Sequence, residues 1–339
     1  MSKSSPFSAV TTTSTITKLR IILRAALLLF VFSATFVATA ADFDPYQLNG
    51  GLVAAVAGRD FCLLAVDTRL VGPSGYEILH RHYTSSRLWS VMPQSSSSSL
   101  LAIQSALRRH AETQPLARCR AEEEEEEYKQ ETVILPAISI QEESPVWVGS
   151  VGCSTDCEQL KRQVQGLVQQ HVRTGEIAAT TRNLPASLAV FLGNLLYGRR
   201  GFPYYSFCVL AGCNAEGGHA YGYDAIGSYE RLAVAVAGQG REILQSILDC
   251  SFHCPPSVNN DNRDEDMPNQ GIVRRVVQTP TQVTETAEQA RRILIDAFRA
   301  VARRDTCVGD SVVLLCWKHS KEGKSCIQPS VTVATLPEN

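Results

Sequence analysis

The segment Asn49-Gly50-Gly51-Leu52, followed by Val53–Gly58 and Phe61–Arg69, decides the fold. Two apolar runs rich in small and β-branched residues are separated by the polar tip Gly58-Arg59-Asp60, which predicts an antiparallel hairpin buried on at least one face. The second run ends in Asp67-Thr68-Arg69, so a carboxylate and a guanidinium lie beside the start of the first strand. There Gly50-Gly51 lets the backbone enter without side-chain bulk.

The rest of the chain alternates between strand and helix patterns. Val146–Gly152 reads as a strand, and the capping box Thr155-Asp-Cys-Glu158 predicts a helix running to about Arg173. A second helix starts at Pro185, strands and a short helix follow, and Thr284–Arg304 is strongly amphipathic. This order predicts an α+β fold with two stacked antiparallel sheets and helices on both outer faces.

The chain resembles the β subunits of the 20S proteasome, in the N-terminal nucleophile hydrolase superfamily. The resemblance spans about residues 43–92 and 146–335 and implies that superfamily's four-layer αββα sandwich. Within the family it is closest to the subunit type at the sixth ring position. It rests on an ordered set of motifs: Gly50-Gly51, Asp67-Thr68-Arg69, Asp156-Cys157, Arg199-Arg200-Gly-Phe-Pro-Tyr-Tyr205, Gly227-Ser-Tyr-Glu-Arg231 and Arg304-Asp305-Thr-Cys-Val-Gly309.

The position of the family nucleophile is occupied by Leu52. In active members the residue after the paired glycines is a threonine that autocleavage exposes; its hydroxyl attacks peptide carbonyls while the freed α-amine takes the proton. Leucine has no oxygen and no ionisable proton. The resemblance therefore names a family and predicts that this chain lacks the family's chemistry.

Other family site positions are also changed. An active member has a lysine that lowers the amine's pKa; counting along the family pattern puts Ser85 there, or Arg87 if the gap falls differently. Val234–Gly240 reads as a strand with a glycine-rich exit, where active members have a serine and this chain has Gln239; the serine of the last motif is replaced by Val308.

Three site residues are kept. Asp67 and Asp305 match family aspartates, and Gly152 matches the glycine whose backbone N–H binds the oxyanion. Without a nucleophile, a pair of carboxylates does no acyl transfer, and we expect Gly152 to have a steric role.

The resemblance implies a non-catalytic, structural subunit of the 20S β ring that contributes to ubiquitin-dependent protein degradation in the cytoplasm and nucleus. Its partners would be the other α and β subunits in stacked heptameric rings and the protein substrates of the complex. A secreted or membrane-anchored binding module with the same fold is the competing hypothesis. A working threonine protease would need another nucleophile, and Thr11–Thr13 and Thr15 do not precede a suitable strand pair.

Residues 1–42 are predicted to be a leader or propeptide. The apolar stretch Leu19–Ala41, ending Ala38-Thr-Ala-Ala41, is also typical of a secretory signal peptide or an N-terminal anchor. The resemblance favours a propeptide and no stable membrane association, and the alternative stays open. Residues 43–339 then form the proteasome β-type domain.

Two polar insertions interrupt this domain, at about residues 94–145 and 255–270. The first contains the serine run Ser95–Ser99 and the glutamate run Glu122–Glu127, and the second is rich in Asn and Asp. Such segments bury too little apolar area to offset their ordering entropy, so we predict disordered surface loops.

Charge and cysteine content exclude other classes of protein. The net charge of −2, with both signs interspersed, argues against a nucleic-acid partner. The 11 cysteines include the C-x3-C pairs Cys153/Cys157 and Cys250/Cys254, which lack the closer spacing and histidine pair of a zinc site. We predict free thiols, no metal and no cofactor.

Overall fold

A computed structural model describes residues 47–92, 103–105, 107–108, 131–134, 146–175, 183–214, 216–253, 283, 285–318 and 329–337, together with Arg24. The chain divides into two compact units, 1–45 and 46–339, and apart from Arg24 everything described lies in the second. Most of the first predicted insertion and all of the second therefore lie outside the described residues, as does the predicted leader apart from Arg24. No described helix is both long and apolar enough to cross a membrane.

The described residues form strands and helices in the predicted order. The strands are β1 (Leu52–Ala57), β2 (Phe61–Asp67), β3 (Leu70–Val71), β4 (Ile78–His80), β5 (Leu88–Ser90), β6 (Glu131–Ile134), β7 (Val146–Gly152), β8 (Ser206–Asn214), β9 (Gly217–Tyr223), β10 (Tyr229–Leu232), β11 (Val234–Gly238), β12 (Ser311–Lys318) and β13 (Pro329–Thr335). The helices are α1 (Ser154–Arg173), α2 (Leu184–Gly198), α3 (Arg241–His253) and α4 (Ala287–Ala302).

Two antiparallel sheets carry the fold. One has six strands in the order β11-β1-β2-β12-β13-β6, and the other has five in the order β10-β9-β8-β7-β5. The predicted hairpin is the centre of the first sheet, with Val53 opposite Val66 and Ala57 opposite Cys62. Its turn is closed by the Gly58 N–H, which donates to the Phe61 carbonyl at 2.9 Å.

The fold has four layers of secondary structure, two of helices and two of strands, and an apolar cluster lies between each adjacent pair. In β1 the side chains of Val53, Ala55 and Ala57 lie in the cluster between the sheets, whereas Leu52, Ala54 and Val56 lie in the cluster that contains α3 and α4 residues. This alternation is the two-residue period of a strand. A third cluster joins the five-stranded sheet to α1 and α2. The predicted four-layer αββα sandwich is confirmed, and β1 is buried on both faces.

The start of α1 differs from its sequence prediction. The helix begins at Ser154, with Cys153 as N-cap and no side-chain cap, so Thr155 lies inside the helix and the predicted capping box is wrong. The Ser154 N–H is instead satisfied from far away in sequence, by Oδ1 of Asn49 at 2.9 Å. The predicted end at about Arg173 is correct, and the helix buries Leu160, Val164 and Val168 on one face.

Two pieces of the first predicted insertion have structure, which corrects the prediction of a disordered loop for those residues. Ile103 and Leu107, four residues apart on a helical turn, are buried in the cluster between the sheets. The segment Glu131–Ile134 pairs with β13 as the edge strand of the six-stranded sheet. For the rest of residues 94–145 the prediction is unchanged.

We predict that Ile103→Ala lowers the free energy of unfolding by about 2–4 kcal/mol, because it deletes a side chain that is 1% exposed from a packed core. The matched control is Gln104→Ala at the exposed neighbouring position, which should change stability by less than about 0.5 kcal/mol. Denaturant unfolding of the full chain measures both. Equal effects of the two variants would show that this part of the insertion adds nothing to the core.

Candidate functional site

Leu52 is the first residue of β1 and lies between two other strands. It pairs with Gly238 of β11, and its neighbours pair with β2. Its side chain is completely buried and belongs to the same apolar cluster as Val308. The Leu52 N–H donates to Oδ1 of Asp67, at the end of β2, at 2.9 Å. The residue at the nucleophile position is therefore a core residue with a bound peptide N–H.

Asp67 and Arg87 form a buried ion pair at this point. Nη1 of Arg87 lies 2.7 Å from Oδ1 of Asp67 and 3.2 Å from the Asp67 carbonyl oxygen. The side chains are 3% and 0% exposed, respectively. Thus one carboxylate oxygen accepts hydrogen bonds from both the Leu52 N–H and the Arg87 guanidinium.

Burial dominates the titration of Asp67. It raises the pKa of this carboxyl to about 6, against the lowering effects of the Arg87 guanidinium and of the Leu52 N–H. The carboxyl is mostly ionised at pH 7, as the ion pair requires.

Of the two candidates for the family's lysine position, Arg87 contacts the site and Ser85 does not. Ser85 is the exposed residue of the turn before β5, where its carbonyl oxygen accepts a hydrogen bond from Lys161 Nζ at 2.8 Å. Arg87 ends this turn, since its N–H donates to the Thr84 carbonyl, and its side chain points to Asp67. The geometry favours Arg87, and the assignment to the family position stays a prediction.

Asn49 is a site residue that the sequence prediction missed. Its N–H donates to the Gly152 carbonyl at 2.9 Å, and its side-chain Nδ2 donates to the Val71 carbonyl at 3.1 Å. Its own carbonyl accepts from Arg87 Nη2 at 3.0 Å and from the Val71 N–H at 3.1 Å. With Oδ1 bound to Ser154, each polar group of Asn49 has a partner.

Gly50 and Gly51 continue from Asn49 into β1 in a conformation that favours glycine, with φ of 71° and 102°. A Cβ on Gly51 would lie 2.9 Å from Arg87 Cζ, and one on Gly50 would lie 2.8 Å from Val71 Cγ2. The Gly51 carbonyl accepts the Gln239 N–H at 2.9 Å. Gln239 thus contacts the site through its backbone.

The remaining predicted positions surround this centre. Gly152 has φ of 127°, and a Cβ there would lie 2.5 Å from the Tyr205 carbonyl oxygen, so a side chain has no room. Asp305 binds its own turn, with Oδ1 accepting the Cys307 N–H at 2.9 Å. Both Asp305 and Val308 lie within 4 Å of the place where a Cβ on Gly240 would be. The motif positions therefore converge, with Ser85 as the exception.

Cys307 is a thiol beside the site, and its pKa is raised by burial and by the Asp305 carboxylate, so it is neutral at pH 7. All described cysteines are free, and all but Cys250 and Cys307 are buried. No group of three or more metal-ligating side chains occurs among the described residues. The centre of the site thus consists of a buried leucine, a buried ion pair and hydrogen-bonded backbone.

Comparison with known proteins gives a family match. The model of the proteasome subunit family matches residues 141–264. Proteasome subunit beta type-1 of Drosophila melanogaster is 29% identical over 80% of this chain and 84% of that protein, and its Arabidopsis thaliana counterpart is 26% identical over 82% and 92%. Proteasome subunit beta type-1 of Dictyostelium discoideum is 30% identical over 61% of this chain and 64% of that protein.

We predict that Arg87→Met lowers the free energy of unfolding by about 3–5 kcal/mol, because it leaves the buried Asp67 carboxylate without its cation. Arg81→Met is the matched control: Arg81 also pairs with an aspartate, Asp310, but is 53% exposed, so its loss should cost less than about 1 kcal/mol. Denaturant unfolding at pH 7 measures both. Similar losses would contradict the assigned geometry.

The raised pKa of Asp67 also predicts a pH dependence. Between about pH 4 and pH 6 the folded protein binds a proton at Asp67 more tightly than the unfolded chain does, so the contribution of Asp67 to stability falls as pH rises through this window. The slope is at most about 1.4 kcal/mol per pH unit. Asp67→Asn should remove it, so the stability difference between wild type and variant should shrink from pH 4 to pH 6 in unfolding titrations. A difference that grows instead would mean that the ion pair outweighs burial.

Proposed function

We propose that this chain, which belongs to the proteasome β-subunit family, is a non-catalytic structural subunit of the 20S core β ring. The proposal rests on Leu52. Its side chain has no hydroxyl and is completely buried, and its N–H donates a hydrogen bond to Asp67. The changes at Arg87, Gln239 and Val308 support it. None of them restores the lysine or the serines that the resemblance requires.

In this role the chain would help to enclose the chamber in which protein substrates of ubiquitin-dependent degradation are cut by other subunits. Its partners would be α and β subunits of stacked heptameric rings, in the cytoplasm and nucleus. The exposed aromatic side chains of the Arg199–Tyr205 motif region, Tyr197 and Phe202, agree with a protein that assembles, since large exposed aromatics are typical of interfaces.

Fractionation of cells that express the chain with a C-terminal tag tests the assembly. Co-migration with a particle of many hundred kilodaltons that contains other proteasome subunits is the expected result. Retention in membranes, or secretion, would instead favour the competing binding module, to which the apolar stretch Leu19–Ala41 would then belong.

We predict that a threonine-directed covalent inhibitor does not label this chain in the purified particle, whereas the catalytic subunits of the same particle are labelled and serve as the positive control. Leu52→Thr should also stay unlabelled. The new hydroxyl would lie in an apolar core, and the lysine and serines of an active member would still be missing. Intact mass spectrometry of each subunit measures the adduct.

Labelling of the wild-type chain would overturn the proposal. Labelling of Leu52→Thr alone would show that the missing oxygen is the sole obstacle and that Arg87, Gln239 and Val308 are compatible with catalysis.

A further inference from the structure

The last strand, β13, would be a template for other chains if its outer edge were open. No charged residue occurs between Ile327 and Pro337, and Val331, Thr332 and Val333 are consecutive β-branched residues. Uncharged segments of this kind pair readily with strands of other chains when their backbone N–H and C=O groups lack partners. β12 pairs with one side of β13, so the other side needs a partner of its own.

Both faces of β13 are buried by packing within the domain. Val331 and Val333 are completely buried in the cluster between the sheets. Thr332 is also completely buried, and its Oγ1 accepts a hydrogen bond from Nη1 of Arg291, on α4, at 3.1 Å. Another chain could therefore reach this strand only at its edge, and whatever covers the edge decides whether such pairing can occur.

The first insertion supplies the strand at this edge. β6 pairs with β13 in antiparallel register over all four of its residues, from Glu131 opposite Val333 to Ile134 opposite Ser330. An earlier part of the same insertion contributes Ile103 to the cluster that also contains Val333. Two separate parts of the insertion therefore belong to the folded domain, and one of them pairs with β13.

β6 is a much poorer template than the strand that it covers. It has four residues where β13 has seven, and it begins with Glu131. Three residues separate it in sequence from the glutamate run Glu122–Glu127. Short strands and charged residues are features by which natural sheets prevent pairing between edges. β6 therefore replaces a long uncharged edge with a short one that follows a block of like charge.

β13 of a second copy is a strand that the uncovered edge would fit. In an antiparallel pair centred on Thr332, Val331 of each copy would lie opposite Val333 of the other. A contact of this kind is isologous, and it places β-branched side chains next to one another across the pair. It would join the six-stranded sheets of two copies into one.

We infer that the first insertion provides an intramolecular edge strand, β6, which keeps β13 from pairing with β13 of a second copy. The inference gives the insertion a role in the solution behaviour of the chain, and it includes the glutamate run as the charge that precedes the new edge. It concerns the edge of a sheet and does not depend on the role proposed for Leu52.

Two neighbouring proline variants, Thr132→Pro and Val133→Pro, form a matched pair that tests the inference. In an antiparallel ladder successive N–H groups point to opposite sides of a strand, so only one of these two residues donates to β13. The variant that loses this N–H should uncover β13. The other should behave like wild type, because proline is tolerated where the N–H of an edge strand points outward.

Sedimentation velocity of the purified full chain over a range of concentrations measures association. We expect one variant of the pair to form dimers or larger species as concentration rises, and its neighbour and the wild type to stay unchanged. Amide hydrogen exchange at the lowest concentration measures the edge itself. Exchange in peptides that cover residues 329–335 should become about tenfold faster or more in the associating variant, with no change in β1.

Three other results would overturn the inference. Unchanged exchange at residues 329–335 in both variants would show that β6 does not cover β13. Faster exchange there without association would show that β6 pairs with β13 but is not what keeps copies apart. Equal association of both variants, with faster exchange in β1 as well, would show that β6 supports the fold as a whole and has no specific role at the edge.

Discussion

One carboxylate oxygen binds the two central residues of the site, Leu52 and Arg87. Oδ1 of Asp67 accepts the N–H of Leu52 and the guanidinium of Arg87, and Asp67 is wholly buried. A buried carboxylate is costly to ionise without a cation at hydrogen-bond distance, and Arg87 supplies that cation. The same oxygen fixes the first residue of β1 through its backbone, whatever the side chain is. This contact is thus made by the main chain and does not depend on the Leu52 side chain.

The ion pair also connects the two sheets. Asp67 ends β2 of the six-stranded sheet, and Arg87 immediately precedes β5 of the five-stranded sheet. Asn49 extends this connection to β7 and to the first turn of α1. A buried ion pair is weak evidence for net stability, but breaking one partner is costly, and the pair fixes the register of the elements it joins. The polar residues around Leu52 therefore have a structural reason to be where they are.

Local patterns of the sequence predicted most of the fold, and motif spacing predicted most of the site. The alternation in β1 and the stripe of Leu160, Val164 and Val168 are short-range features, and the structure has them. The choice between Ser85 and Arg87 depended on the length of an irregular loop, which no periodic pattern fixes. The role of Asn49 was not predictable because its side chain binds Val71 and Ser154, which lie 22 and 105 residues away.

The prediction of disorder for the first insertion was partly wrong for a different reason. Its serine and glutamate runs dominate its average composition, whereas Ile103 and Leu107 are two apolar residues at helical spacing that suffice to fill a place between the sheets. A polar average composition indicates that a segment cannot form a core of its own. It does not indicate whether single apolar residues within the segment are buried. The prediction of disorder was therefore wrong for Ile103 and Leu107, which are buried, and for Glu131–Ile134, which pair with β13.

The substitutions at the site belong together physically. The completely buried Leu52 requires apolar surroundings, and Val308 lies in the same cluster. A serine at position 308 would bring a hydroxyl that needs a buried hydrogen-bond partner. The cation beside Asp67 neutralises the carboxylate and binds the carbonyls of Asp67 and Asn49, which an arginine does with more hydrogen bonds than a lysine. Leu52 and Val308 therefore belong to the core by packing, and Arg87 belongs to it by its ion pair and hydrogen bonds.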